Sequence, residues 1–208
     1  MLTLPLNATD TEAAFKWYAD TTDCYQPHAG FQATFTHEFI SVLDKRAAPM
    51  TGTISVSKTG LFSMRYATPS EKQAVFDGRK IRAWDSQSGL RISHTGKDNV
   101  LFTHLVTLFN ASADELQRRF SARVIVARHG TATPSQYTVV ELTPIQQSAL
   151  VQKLVVTLGP CPAIRRVIVV DRAGNMIRLT FQNIALVDHF AKDTFQLQAP
   201  GNGPMVHP

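Results

Sequence analysis

The sequence predicts a mainly β protein in which two blocks of antiparallel strands flank a short helical segment. Three observations carry that expectation. Apolar and polar residues alternate with a period of two over most of the chain, as in Phe31, Ala33, Phe35, His37 and Phe39 against Gln32, Thr34, Thr36 and Glu38. Turn residues punctuate these runs at short intervals, with Gly60, Asp77-Gly78, Gly89 and Gly174 among them. Between the two strand blocks the stretch from Asp98 to Phe120 changes period: Val100, Leu101, Phe102, Leu105, Val106, Leu108 and Phe109 recur at spacings of three and four.

A first helix is expected near the start. Thr9 with Glu12 has capping-box spacing, and Ala14, Trp17, Tyr18 and Thr21 follow at helical steps, so the helix should run to about Asp23 and end before Cys24, Pro27 and Gly30. The strand beginning at Phe31 follows. After a turn around Asp44 to Pro49 comes a second strand with Ile54 and Val56 on one face, then Leu61 to Tyr66 beyond a Gly60 turn. Carried through that turn, the parity places Ile54, Val56, Lys58, Phe62, Met64 and Tyr66 on one face, which is wide and aromatic and holds a single cation. Asp77-Gly78 signals a two-residue hairpin between Gln73 to Phe76 and Lys80 to Trp84, and Leu90 to His94 completes about six strands.

In the central segment Ser112 and Glu115 open a second helix with a capping box, and Leu116 and Phe120 give it an apolar side. These greasy helices read either as ordinary core plugging the end of a barrel or as a lid over a hydrophobic cavity. Strands then resume at Arg123 to Arg128, Gln136 to Leu142, Gln152 to Leu158, Ile164 to Val170 and Met176 to Gln182. A last strand is expected at Thr194 to Gln198, before a Pro- and Gly-rich tail, Pro200 to Pro208, that should be poorly ordered.

Composition bounds the function. The chain has 208 residues, 44% hydrophobic and 18% charged, enough for a sizeable core in one domain spanning 1–208. No apolar run reaches the roughly eighteen residues of a membrane span, and Met1 to Leu6 is too short for the apolar core of a signal peptide. The net charge of +5 is scattered, which argues against nucleic acid as a partner. His28, His37, His94, His104, His129, His189 and His207 show no metal-ligand spacing, and His37 reads as a partnered strand residue. No nucleophile elbow, Cys-x-x-Cys or phosphate-cradling loop is present, so neither a catalytic set nor a cofactor is expected.

Several local motifs, in order, resemble the LolA-type carriers that ferry lipoproteins through the bacterial periplasm. They are Gly30-Phe31-Gln32-Ala33-Thr34-Phe35-Thr36, then Gly60-Leu61-Phe62-Ser63-Met64-Arg65-Tyr66 with Pro69 behind it, and Phe76-Asp77-Gly78. Glu141-Leu142-Thr143-Pro144, Asp171-Arg172-Ala173-Gly174-Asn175 and Phe181-Gln182-Asn183 with Phe195 to Pro200 complete the set, so the resemblance covers about Phe15 to Pro200. It implies a half-open antiparallel β-barrel of about 11–12 strands, closed by a lid of about three short helices. It also implies a periplasmic monomer that holds lipoprotein acyl chains in a hydrophobic cavity, taking them from an inner-membrane lipoprotein-releasing transporter and giving them to an outer-membrane acceptor.

On this sequence the cavity falls to Ile54, Val56, Phe62 and Met64 of the sheet and to Leu101, Leu105 and Phe109 of the lid. Where the family commonly has Arg-Pro, with the Arg latching the lid to the sheet, this chain has Lys58-Thr59, so Lys58 is the candidate latch, with point-like donors in place of a planar fork. The aromatic usual after Asp-Gly is displaced from Arg82 to Trp84. Cys24 and Cys161, the two cysteines, would pair as a disulfide in a periplasmic chain. A small enzyme with a hydrophobic pocket on the same fold, a carrier of another lipid and a purely structural β protein are the competing readings.

Overall fold

The structure is a computed structural model that describes residues 8–43, 47–95, 104–105, 107–109, 111–128, 137–146, 150–159, 164–199 and 205–206. Helix α1 (Ala8–Asp23) leads into six strands: β1 (Gly30–Ile40), β2 (Met50–Ser57), β3 (Phe62–Thr68), β4 (Lys72–Phe76), β5 (Lys80–Asp85) and β6 (Arg91–Thr95). Helical backbone at 104–105 and 107–109, here the lid segment, precedes α2 (Ala113–Arg119). Then come β7 (Phe120–Arg128), β8 (Tyr137–Pro144), β9 (Val151–Leu158), β10 (Ile164–Asp171), β11 (Met176–Val187) and the two-residue β12 (Met205–Val206).

All strands join one sheet in the order β12-β6-β5-β4-β3-β2-β1-β11-β10-β9-β8-β7. Strands β1 to β11 pair antiparallel, while β12 adds to β6 in parallel. Among the described residues nothing pairs β7 with the opposite edge, so the barrel is open, as expected, and the helices occupy its concave side. The two strand blocks meet where β1 lies between β2 and β11, which gives β1 the most central position.

Alternation explains why the sheet has one dry face. Phe31, Ala33, Phe35 and His37 of β1 are buried, and they continue into rungs such as Phe31 with Val56 and Val56 with Phe62. Ala33 pairs with Ile54, and Ile54 with Met64. Each large side chain buried this way contributes about 1.5–3 kcal/mol. Gly30 is required where β1 meets β2, because a Cβ there would stand 2.0 Å from the Val56 carbonyl oxygen. On the outer face Arg123, Glu141 and Lys153 form an ion-paired row across β7, β8 and β9. Burial pushes the Glu141 carboxyl up, but hydrogen bonds from Lys153 and Arg123 more than offset this and hold it below its usual range.

Helix α1 lies against β7 and α2 and buries Ala14, Phe15 and Tyr18. The described helix already includes Ala8, so Thr9 and Glu12 both lie inside it and their spacing is not that of a cap. Helix α2 is capped as the sequence predicts: Glu115 N donates to Ser112 Oγ at 3.2 Å and Ser112 N to Glu115 Oε2 at 3.0 Å. Asp114 and Glu115 in its first turn and Arg118 and Arg119 in its last suit the helix dipole.

Three expectations need correction. The hairpin loop between β4 and β5 is Gly78-Arg79, one residue on from Asp77-Gly78, because Asp77 pairs with Lys80 and its carboxylate accepts from the Arg79 and Lys80 amides. Thr194 to Gln198 is not a strand. It crosses the outer face instead, where Gln198 N donates to Gln73 Oε1 at 2.7 Å and Gln73 Nε2 donates to the Gln196 carbonyl at 3.0 Å. Finally, within the tail expected to be unordered, Met205 and Val206 form β12 beside Arg91 and Ile92.

Candidate functional site

The concave face of β1 to β4 and the helices above it enclose a continuous apolar interior. The register places Ile54 opposite Met64 and Val56 opposite Phe62, and these four are 0–2% exposed. From the lid segment Leu105 and Leu108 are fully buried and Phe109 is 7% exposed. Leu101, the remaining expected cavity residue, lies outside the described residues. The six described cavity residues therefore belong to one hydrophobic cluster.

Phe109 is the joint between lid and sheet. Its ring stands 5.2 Å from that of Phe31 on β1 and 5.7 Å from that of Phe181 on β11. Tyr25, just after α1, stacks on Phe31 at 5.4 Å. Such tilted and edge-on pairs add about 0.5–1.5 kcal/mol each beyond area burial. In this closed arrangement the interior is filled by the chain's own side chains.

Beside Phe109 the interior opens into a cavity of about 440 Å³. Its apolar floor is Phe31, Val56 and Phe109, and its rim is polar, with Asp23, Gln26, Lys58, Ser112, Asp114 and Glu115. We call this opening the mouth. A second cavity of about 550 Å³ lies on the outer face and is lined chiefly by polar groups, among them Gln32, Thr34, Thr53, Ser55, Arg65 and Asn183. Among the described residues none of the lid segment lines it.

Lys58 does not continue the inward parity of Ile54 and Val56. It sits in the turn after β2, exposed, and its ammonium donates to the Gln26 carbonyl at 3.4 Å, in the connection between α1 and β1. The described contact thus ties the α1 end to the sheet, not the lid segment to it. A stronger tie comes from a residue the sequence did not single out: the Tyr18 hydroxyl donates to the Leu108 carbonyl of the lid segment. Burial pushes the Tyr18 phenol far above its ordinary range, so it stays protonated and able to donate. A tyrosine on the apolar stripe of α1 was the available signal.

His37 is partnered, as its place on the strand suggests. Its Nδ1 lies 3.0 Å from the Tyr66 hydroxyl, and burial holds its pKa below the usual value. Cys24 is disulfide-bonded, and Cys161 lies outside the described residues. Among the described residues no group of three or more His, Cys, Asp or Glu is placed to hold a metal ion. No described helix is long and apolar enough to cross a membrane.

The family described as "Outer membrane lipoprotein carrier protein LolA" matches residues 27–198. This chain belongs to the LolA family. No curated protein matches it. Among solved structures it is similar to an uncharacterized conserved protein from Thermus thermophilus, with a TM-score of 0.55 at 10% identity, covering 91% of this chain and 98% of that one. It is similar to MucB, with a TM-score of 0.54 at 15% identity and 90% of this chain covered, although it spans 64% of that protein's chain. A DUF1329 family protein from Desulfovibrio piger gives a TM-score of 0.53 at 8% identity, with 90% and 97% of the two chains covered. At these identities the likenesses concern the fold: an open, mainly β barrel with a few short helices.

Proposed function

We propose that this LolA-family chain is a periplasmic carrier that shields the acyl chains of lipoproteins in its interior and delivers them toward the outer membrane. The observation that carries the reading is the position of Phe109. It is at once a buried member of the interior cluster, in ring contact with β1 and β11, and part of the floor of the 440 Å³ mouth. Displacing one short segment would therefore join the mouth to the dry face formed by Ile54, Val56, Phe62 and Met64.

The energetics suit exchange. Burying an acyl chain is favourable by about 0.8 kcal/mol per methylene, while the closed lid already covers the same surface with Leu105, Leu108 and Phe109. Cargo replaces protein contacts with lipid contacts, so the net difference between loaded and closed states is small and cargo can be both accepted and surrendered. No covalent step or cofactor is involved. The donor would be an inner-membrane lipoprotein-releasing transporter and the recipient an outer-membrane acceptor.

The test is equilibrium uptake of a fluorescent long-chain acyl probe by delipidated protein, with a native mass spectrum of freshly purified material. The expected result is saturable binding competed by acylated lipoprotein. Absence of binding, with the interior staying packed, would make the lid ordinary core and sink the carrier reading.

A further inference from the structure

The outer face of the sheet carries a polar array that the carrier reading does not use. Register aligns outward side chains into two rows across β1, β2 and β3: Gln32 with Ser55 and Ser63, and Thr34 with Thr53 and Arg65. Neighbours in a row stand about 4.8 Å apart across the strands, and the rows are about 7 Å apart along them. Together these residues form the floor of the 550 Å³ outer cavity. One wall comes from a bulge in β11, where Asn183 and Ile184 together oppose Ala33. There Asn183 takes φ 49°, and its Nδ2 donates to Thr34 Oγ1 at 3.2 Å. The other wall is the turn after β11, with Asp193 and Thr194. Gln198 fastens it, donating from Nε2 to the Asp193 carboxylate while its Oε1 accepts from Arg65 at 2.8 Å.

Ser63 is the residue that points to a ligand. It lines the cavity and is 3% exposed, yet its hydroxyl has no hydrogen-bond partner among the described residues. Buried polar groups are ordinarily paired, because an unpaired one gives up its hydration without replacement. The hydroxyl is not sealed in protein as Ser70 Oγ and Arg178 Nε are, so a molecule in the cavity can reach it. Arg65 adds unspent donors, since its described hydrogen bond is the one to Gln198.

The lining sets the chemistry of that ligand. Ile54 borders the cavity through its backbone, its side chain belonging to the interior cluster, and no aromatic residue lines it, so a lipid tail finds no apolar surface. One cation, Arg65, and one anion, Asp193, line it, so no net charge selects a phosphate or a polybasic partner. Strands β1, β2 and β3 each have a neighbour on both sides, so an extended peptide finds no free strand edge. What the array matches is a neutral molecule covered in hydroxyls, each able to donate and to accept. We propose that the outer cavity binds a neutral saccharide, with a pyranose ring lying across the two rows. Ser63 and Arg65 hydrogen-bond its hydroxyls from the floor, and Asp193 accepts from them at the wall. A volume of 550 Å³ is within the roughly 300–1,000 Å³ of small-molecule sites. The apolar interior lies on the other side of the same strands, so saccharide and acyl chain are held independently.

The experiment is an amide NMR titration of the full chain with glucose, N-acetylglucosamine and chitobiose, with glycerol and inorganic phosphate as comparisons. No acyl ligand is present, so the outcome does not depend on the carrier reading. Saturable shifts are expected at the amides of 32–34, 53–55, 63–65 and 183–185 with a sugar, and none that saturate with glycerol or phosphate. Ser63→Ala and Arg65→Ala should each weaken binding by about tenfold. Thr36→Ala, outward on β1 but outside the cavity, should leave it unchanged. Resonances away from the cavity show whether each variant folds, and Arg65, half-buried, keeps the test decisive where Ser63→Ala disturbs the sheet. Absence of saturable shifts with every sugar, equal shifts with glycerol, saturable binding of phosphate in place of sugar, or undiminished binding in both variants would each overturn the proposal.

Discussion

The phenol of Tyr18, on α1, donates a hydrogen bond to the backbone carbonyl of Leu108 in the lid segment. Both groups are buried, so the carbonyl has no water to turn to when the donor is removed. Tyr18→Phe keeps the ring and deletes only the donor. The closed lid should lose about 1–2 kcal/mol, raising the open population by roughly five- to thirtyfold. Hydrogen exchange at the amides of 107–109 and the rate of acyl-probe uptake should both rise. Unchanged exchange would show that the bond does not hold the lid.

Lys58 is tied to the Gln26 carbonyl by a single long bond at an exposed site, and exposed contacts of this kind are weak. Lys58→Leu should therefore change stability by no more than about 0.5 kcal/mol. Its effect on the lid should be smaller than that of Tyr18→Phe. If Lys58→Leu instead loads and releases the probe much faster than the parent, the latch of the family resides in this residue after all.

Burial holds the His37 imidazole below its ordinary value of 6.5, and burial, with the Arg119 charge second, does the same to His104. The unfolded chain then takes up these protons first. Stability from the neutral histidines is complete above about 6.5 and is lost as pH falls through the lower folded values. The lowered carboxyls of Asp77, Asp85, Glu141 and Asp171 act in a separate, more acidic window, below their ordinary values of 3.8 and 4.5. Melting temperature should be level at neutral pH and drop on acidification past 6.5, with the drop reduced in His37→Gln with His104→Gln. The same slope in parent and double variant would assign it to other groups.

How much of this was legible in the sequence depended on whether local chemistry decided the outcome. The Ser112–Glu115 capping box and the alternation of β1 are set by neighbours in the chain, and both appear as read. Strand β11 runs to Val187, beyond Gln182, because Asn183 takes a left-handed conformation, φ 49°, opposite an irregularity between Gln32 and Thr34. That break in alternation hides the remainder of the strand. Parity failed at Lys58 because a turn need not conserve it. The segment after Asp193 has strand-like composition, but its partners are the Gln73 and Arg65 side chains, far away in sequence, so only tertiary structure could place it. For the same reason Tyr18 looked like ordinary apolar stripe.

Cys24 and Cys161 are proposed to be joined to each other, closing the long loop between α1 and the β9–β10 connection. Thiol counting under denaturing, non-reducing conditions should find no free thiol, and reduction should lower the melting temperature. The chain-entropy account gives about 5 kcal/mol as an upper figure for a loop of this length. Two free thiols would end the pairing.

The cavity reading makes its sharpest demand at Met64 and Phe109, which approach the interior from opposite walls, β3 and the lid segment. A carboxylate at either position is poorly solvated inside, and binding should be abolished if acyl chains enter there. The two sites differ in what the sheet needs. Met64 is fully buried in a strand, so Met64→Glu should also lower stability, by about 2–5 kcal/mol. Phe109 is on a helical segment outside the sheet, and under the proposed displacement of that segment Phe109→Glu should cost the sheet little and leave the lid open. Thr53→Glu, exposed on the outer face of β2, is the control for added charge. Circular dichroism separates unfolding from loss of binding, and uptake of the fluorescent acyl probe reads the site. If folded Phe109→Glu protein takes up the probe as well as Thr53→Glu does, the interior is not where acyl chains bind.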